Sequence, residues 1–199
     1  AVKEGRKWKT VPVHNKEMPN EMPEYDARQL WREIAECAWE CADPGLQYHT
    51  TINNWHTTPN TAEIRGSNPC SEYMQIDDTS CNLGSANLMK FANEDGSFRI
   101  RDFREVIDLA TRSMDLNYDA SAFPTKRIAE LSNSIRPLGV GYTNLGSWLM
   151  FQGLAYDSDE GRAAAAAVTA LMTGQVYLTS TEMAEKVGPF KEFEKNRAD

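Results

Sequence analysis

Asn68-Pro69-Cys70-Ser71-Glu72 places a thiol two positions from an amide on one side and two from a carboxyl on the other. In an extended segment, residues i−2, i and i+2 point to the same side. Asn68, Cys70 and Glu72 are therefore expected to face one small molecule together. The trio offers a sulfur, a hydrogen-bond donor and acceptor, and an acid or base. Cys81 follows eleven positions after Cys70 and adds a second sulfur for redox work.

Working outward, residues 63–67 and 73–76 read as short strands flanking the Cys70 loop, with Pro69 breaking any continuous ladder. Residues 79–91 carry Leu83, Leu88, Met89 and Phe91 without a clear period. Asn93-Glu94-Asp95-Gly96-Ser97 is a turn, and Phe98-Arg99-Ile100 a short strand. Upstream, Asp26 caps a predicted helix over 26–42, with Leu30, Ile34, Cys37, Ala38 and Cys41 at helical spacing, and Pro44-Gly45 ends it. Residues 1–24 hold Pro12, Pro19 and Pro23 and read as an extended arm or insertion. Residues 46–62 read as an irregular loop.

Downstream the pattern is helical. Asp102 is expected to cap a helix carrying Val106, Ile107, Leu109, Ala110, Met114 and Leu116. Pro124-Thr125 starts another, to about Leu131. Ile135 to Val140 reads as a buried strand entering a helix near Asn144, with Leu145, Trp148 and Leu149. Asp157 or Ser158 opens a long helix that stops near Gly188-Pro189, and its run Ala163 to Ala167 reads as a close-packing face.

Composition bounds the function. The 199 residues, 41% hydrophobic and 25% charged, suit one globular domain or a large piece of one. A net charge of −8 argues against a nucleic-acid partner but leaves room for a nucleotide in a local pocket. No apolar run approaches the ~20 residues that cross a bilayer, and the N-terminus lacks a signal-peptide core, so no membrane partner is expected. The absence of an initiating Met is consistent with a piece of a longer chain. Four cysteines allow two disulfides or a zinc site, but their low density and spacing favour reduced thiols in the cytoplasm. Cys37 and Cys41 read as packing residues. His14, His49 and His56 lack mutual metal spacing, so no metal site is expected. Asp77-Asp78 reads as solvated turn charge, and Trp31, Trp39 and Trp148 as core or interface. Gly139, Gly141 and Gly146 lack dinucleotide-loop spacing and read as a tight strand-to-helix turn whose N–H groups border a substrate.

Three segments, in order, carry a resemblance. They are Ala42-Asp43-Pro44-Gly45-Leu46-Gln47-Tyr48 with Asn53-Asn54-Trp55-His56; Asn68 to Glu72 with Asp77-Asp78-Thr79-Ser80-Cys81-Asn82-Leu83-Gly84-Ser85; and Arg136-Pro137-Leu138-Gly139-Val140-Gly141-Tyr142-Thr143-Asn144-Leu145-Gly146. Together they resemble the catalytic subunit of ribonucleotide reductases, most closely the adenosylcobalamin-dependent class II form, over about residues 24 to 192. His49 departs from the pattern, where relatives are expected to carry an acid.

The resemblance implies a fold and a chemistry. The family fold is a ten-stranded α/β barrel with a catalytic finger loop through its centre. This segment is expected to be mostly helical, with a few short strands, and to supply residues 25–199 as a partial barrel domain with the finger loop near 66–82. The cysteine matching Cys70 becomes a thiyl radical that abstracts hydrogen from the ribose 3′ carbon. The glutamate matching Glu72 takes the 3′-hydroxyl proton, and the asparagine matching Asn68 holds the substrate hydroxyls. Ser67 and Gly141 are further substrate-contact candidates. Loss of the 2′-hydroxyl as water draws two electrons from a cysteine pair, of which Cys81 matches one member. The other member, and the residues that hold adenosylcobalamin, belong to segments outside this chain. The implied partners are a ribonucleotide, a thioredoxin-type reductant, the rest of the catalytic subunit and a second copy in a homodimer. The isolated chain is expected to be inactive. The alternatives are a class I large-subunit segment, whose radical comes from a metal-containing partner, and a non-catalytic helical nucleotide-binding or interaction module.

Overall fold

Asp26 begins the first helix because its carboxylate accepts the otherwise unpaired N–H groups of Arg28 and Gln29, at 2.9 and 2.8 Å. This helix, α1, spans Ala27–Cys41 and ends where Ala42 turns left-handed at φ 62°. Ahead of it, β1 (Lys7–Lys9) and β2 (Glu24–Asp26) pair antiparallel. The computed structural model describes residues 1–10 and 22–198. Pro12, Pro19 and His14 lie outside them. The chain divides into two compact units, Ala1–Tyr48 and His49–Asp199. The 24/25 boundary falls inside the first unit, between residues of β2.

In the second unit, residues 46–62 are not wholly irregular, since α2 forms over His49–Asn54. Asn53 then imitates a strand neighbour for Ile64: its Oδ1 accepts the Ile64 N–H at 3.0 Å and its Nδ2 donates to the Ile64 carbonyl at 2.9 Å. That side-chain pairing takes the place of a ladder, and neither 63–67 nor 73–76 forms a strand. The ambiguous stretch 79–91 resolves into β3 (Asn82–Asn87) followed by a 3-10 turn at Leu88–Phe91. Phe98 makes a single bridge to Ala92 in place of a strand.

The helix expected from Asp102 starts earlier. α3 spans Ile100–Ala120, and Asp102 sits in its first turn, ion-paired with Arg99 at 2.9 Å. Thr125 caps α4 (Lys126–Ile135) by accepting the Ile128 N–H, and the helix runs one turn past Leu131. β4 (Leu138–Thr143) leads through Asn144, at φ 64°, into α5 (Leu145–Phe151). Ser158 caps α6 (Asp159–Val187), which stops at Gly188 as expected. The Ser158 hydroxyl accepts the Gly161 N–H at 3.0 Å. Gly161 is required there, because a Cβ would sit 2.4 Å from the Ala155 carbonyl oxygen. Ser158→Ala is expected to cost about 1 kcal/mol, read as a lower urea midpoint of this chain.

β3 and β4 pair in parallel, from Asn82 opposite Leu138 to Asn87 opposite Thr143. Parallel neighbours need a long crossover, and α3 and α4 provide it. Helix and sheet meet over one core of Leu88, Phe91, Phe103, Ile107, Trp148, Leu149, Val168 and Met172, against which Ala86, Val140 and Tyr142 of the strands pack. α6 buries Val168, Met172, Gln175 and Thr179, one helical stripe. Of the run 163–167, Ala164 packs against that core, and Ala163, Ala166 and Ala167 are exposed, so most of the run serves helix propensity. The α3–α6 seam is polar as well: Thr179 donates to Asp108 at 2.7 Å, and Arg104 donates to Gln175 at 2.8 Å. Arg112 bridges Asp108 and Glu182, and its hydrogen bond holds the Asp108 carboxyl below the usual carboxylate range.

Candidate active site

The loop carrying Cys70 is closed at its base by ion pairs. Arg65 meets Asp77, and Arg127 of α4 meets Asp78. The acid pair expected to be solvated turn charge therefore ties the two ends of the loop to each other and to α4. These pairs are exposed and each contributes at most about 1 kcal/mol, so they guide the chain path more than they stabilise it.

Within the loop, the Ser71 N–H donates to the Asn68 carbonyl at 3.0 Å and Ser71 adopts φ 64°. Residues 68–71 are thus a reverse turn, with Pro69 at its second position and Cys70 at its third. Pro69 fixes φ near the value that position needs. The extended alternation expected to align Asn68, Cys70 and Glu72 does not form, because the 68–71 turn interrupts it. Cys70 and Glu72 are exposed, so the described residues of this chain do not shield them from solvent. Asn68 Oδ1 accepts the Tyr73 N–H at 2.9 Å, so its donor capacity lies at Nδ2. The Ser67 hydroxyl donates to the Asn68 carbonyl at 2.9 Å.

Cys81 is seated more firmly. It is half-buried and directly precedes β3. The preceding peptide is gripped on both sides. Ser80 N–H donates to the fully buried Ser132 Oγ at 2.9 Å, and the Tyr118 phenol is shared between the Ser80 and Pro137 carbonyls, at 2.9 and 2.5 Å. Burial pushes the Tyr118 phenol up to about 12, so it remains a donor at neutral pH. Arg136, paired with Asp115 at 2.8 Å and Asp119 at 3.0 Å, stacks over the same ring. A Cβ at Gly139 would come 3.1 Å from the Cys81 sulfur and 2.3 Å from Leu83 Cδ2, so a glycine in β4 makes the space the thiol uses. Burial raises the Cys81 thiol above its ordinary range, and the Glu72 charge adds to the rise. The fold thus brings Glu72 within electrostatic reach of Cys81, and Cys81 is held as a thiol.

The remaining candidates are placed as follows. Gly141 lies inside β4 opposite Ser85, not at a helix start; the strand-to-helix turn is made by Asn144. Cys37 and Cys41 are exposed on α1, in the first unit, and all four cysteines are free thiols. Trp148 belongs to the core, whereas Trp31 and Trp39 are exposed. His56 is buried, donating from Nε2 to the Ala62 carbonyl and accepting from the Thr58 N–H at Nδ1, so both ring nitrogens have structural partners. His49 pairs with Glu63 at 2.9 Å. Among the described residues no group of His, Cys, Asp and Glu could hold a metal ion. A corrin needs a broad pocket, and both described histidines already have partners. Two open grooves, of about 420 and 360 Å³, share Arg127 and Leu131 beneath the loop and are lined largely by charged side chains. These residues do not fit a cobalamin site. Tyr73, Tyr118, Ser132, Arg65 and Arg127 were not singled out from sequence. An aromatic directly after Glu72, and two arginines matching two adjacent acids, were the available signals.

The site thus has a thiol on an exposed turn, a carboxylate two residues on and a second, half-buried thiol directly before β3. The model of the ribonucleotide reductase barrel domain matches residues 6–199. The chain belongs to this family. Relatives named vitamin B12-dependent ribonucleotide reductase include one from Streptomyces avermitilis, 50% identical over 200 residues, covering 98% of this chain and 20% of that protein. Another, from Rhodopirellula baltica, is 47% identical over 198 residues, covering 100% of this chain and 19% of that one. The chain spans about a fifth of the length of these curated relatives. Among solved structures, the class Id ribonucleotide reductase alpha subunit of Actinobacillus ureae superposes with a TM-score of 0.71 at 21% identity, over 84% of this chain and 34% of that one. That likeness shows the fold, a reductase barrel to which this chain brings the β3–β4 pair and its helices. No helix among the described residues is long and apolar enough to cross a membrane.

Proposed function

We propose that this chain is the finger-loop segment of a ribonucleotide reductase that makes 2′-deoxyribonucleotides by thiyl-radical chemistry. The single observation that carries the reading is the family match over residues 6–199, which includes the loop with Cys70, Glu72 and Cys81. In this reading Cys70, as a thiyl, takes the hydrogen atom from the ribose 3′ carbon. Glu72 accepts the 3′-hydroxyl proton and Asn68 Nδ2 holds the hydroxyls. The 2′-hydroxyl leaves as water. Cys81 and a cysteine elsewhere in the parent give up two electrons and two protons and become a disulfide. Cys70 returns its hydrogen to the 3′ carbon and is again a thiyl. The sum is ribonucleotide plus two thiols giving deoxyribonucleotide, water and one disulfide.

The raised thiol at Cys81 suits this sequence, because a protonated sulfur delivers hydrogen as well as electrons. The names of the relatives near 50% identity favour adenosylcobalamin as the radical source, which when bound supplies a carbon-centred radical; it is held by other parts of the parent. A thioredoxin-type dithiol resets the disulfide, and the parent works in the cytoplasm, as a homodimer. The full-length enzyme is expected to form deoxyribonucleotides only when adenosylcobalamin is added, with this chain alone inactive. Product formation supported by a metal-containing partner subunit without cobalamin would move the assignment to class I.

A further inference from the structure

Tyr73 lies between the two thiols in sequence and joins their backbones in space. Its N–H is held by Asn68 Oδ1 at 2.9 Å, which ties it to the turn that presents Cys70. Its phenol donates to Thr79 Oγ1 at 2.9 Å and lies 3.3 Å from the Ser80 carbonyl, the peptide that enters Cys81. Thr79 is itself oriented, its hydroxyl donating to the Ile76 carbonyl at 2.6 Å. A hydroxyl that has spent its proton in this way can only accept from Tyr73, so the direction of the bond is settled. The Tyr118 phenol lies between the Ser80 and Pro137 carbonyls, at 2.9 and 2.5 Å, and the Ser80 N–H is taken by Ser132. One residue, through its backbone N–H and its phenol, therefore links the Cys70 turn to the residues that enter Cys81. Burial raises the Tyr73 phenol far above its usual range, so it stays a donor throughout the neutral range.

We infer that Tyr73 is a positioning residue that acts through Thr79 and Ser80 to hold the Cys81 thiol in place relative to the Cys70 turn. The inference rests on the proposed reductase reading for its catalytic consequence, but not for its structural one. A radical at Cys70 and a reductant at Cys81 must serve the same ribose, and misplacement of reacting groups by about 1 Å is enough for a hundredfold loss. Tyr73 touches neither substrate nor reacting atoms in this role. It sets a distance.

The test is made in the full-length enzyme with Tyr73→Phe, which keeps the ring and removes only the O–H. Two readouts are taken: steady-state deoxyribonucleotide formation, and peptide-resolved alkylation of each cysteine by iodoacetamide. We expect kcat to fall about tenfold to a hundredfold with KM within about twofold. Alkylation of Cys81 should accelerate about threefold or more as the freed thiol gains solvent and ionises more easily. Cys37, in the other unit, should react as in wild type. Thr79→Val should reproduce Tyr73→Phe, Thr79→Ser should behave as wild type because the accepting hydroxyl is kept, and the double variant should be no worse than either single one. Should Tyr73→Phe fail to fold, the Thr79 pair carries the same comparison. Wild-type alkylation of Cys81 in a folded Tyr73→Phe or Thr79→Val enzyme would overturn the inference, as would additive losses in the double variant. Because alkylation needs no turnover, an enzyme that lacks reductase activity but shows the Cys81 effect rejects the functional reading and keeps the strut.

Discussion

Cys70→Ser in the full-length enzyme is expected to abolish ribonucleotide reduction, by at least about a thousandfold in kcat, while leaving the fold intact. The reason is bond strength. A sulfur radical can take a hydrogen from an activated carbon because the S–H bond formed is of similar strength. Serine offers an O–H bond that is much harder to convert into the starting radical, so the chain of steps never begins. The fold is spared because Cys70 sits exposed at the third position of the 68–71 turn, where neither the Asn68–Ser71 hydrogen bond nor the Asn68–Tyr73 bond uses its side chain. Surface substitutions of this kind change stability by about 0.5 kcal/mol or less. Turnover and thermal unfolding measured on the same preparation separate the two effects. A folded Cys70→Ser enzyme retaining more than about a tenth of wild-type kcat would remove the thiyl mechanism and leave the non-catalytic module as the better reading.

Phe103→Ala is expected to be the most damaging single change to stability, about 3–5 kcal/mol. Phe103 is wholly buried and stands edge-on to Phe91 and Phe98, with ring centroids at 5.2 and 5.4 Å. Phe98 in turn stands against Trp148 at 5.4 Å. Truncating the middle ring leaves a cavity and breaks two oriented aromatic pairs at once. Against a typical margin of about 5–15 kcal/mol, that is a large fraction. The same core supports Ala86 of β3 and Val140 of β4, so the strand pair that seats Cys81 should loosen with it. A drop in the urea midpoint of this chain checks the first effect, and faster alkylation of Cys81 below that midpoint checks the second. Phe103→Leu, which fills most of the space, should cost less than half as much; equal losses for the two variants would locate the effect in something other than packing.

The starts of α1, α4 and α6 were legible because their end signals are local, whereas α2 was missed and α3, which has no side-chain cap, begins two residues before the expected Asp102. Asp26, Thr125 and Ser158 each accept backbone N–H groups within three residues, and Gly188 ends α6 where sequence places the stop. The entry to α5 near Asn144 was also readable, but the strand expected over Ile135 to Val140 lies at Leu138–Thr143 and is half-buried, because Ile135 still belongs to α4. The strands expected at 63–67 and 73–76 were not realised, because the pairing for Ile64 comes from the Asn53 side chain and that for Tyr73 from Asn68. Composition is the same in both cases; what differs is which group satisfies the backbone. The acids at 77 and 78 looked like free turn charge because their partners, Arg65 and Arg127, are twelve and forty-nine positions away.

Residue identity alone determined the chemistry on offer: two thiols, an amide and a carboxyl, in an order that marks a reductase loop. It also determined the longer helices, whose caps and apolar stripes act over a few residues. Only the tertiary structure decided how those groups are presented. It turned the Cys70 segment into a reverse turn, closed its base with arginines distant in sequence, gripped the peptide before Cys81 with Tyr118 and Ser132, and bonded the Tyr73 phenol to the neighbouring Thr79. Such contacts follow from chain crossings that bring remote residues to one peptide, and no periodicity in a linear sequence encodes which remote donor arrives there.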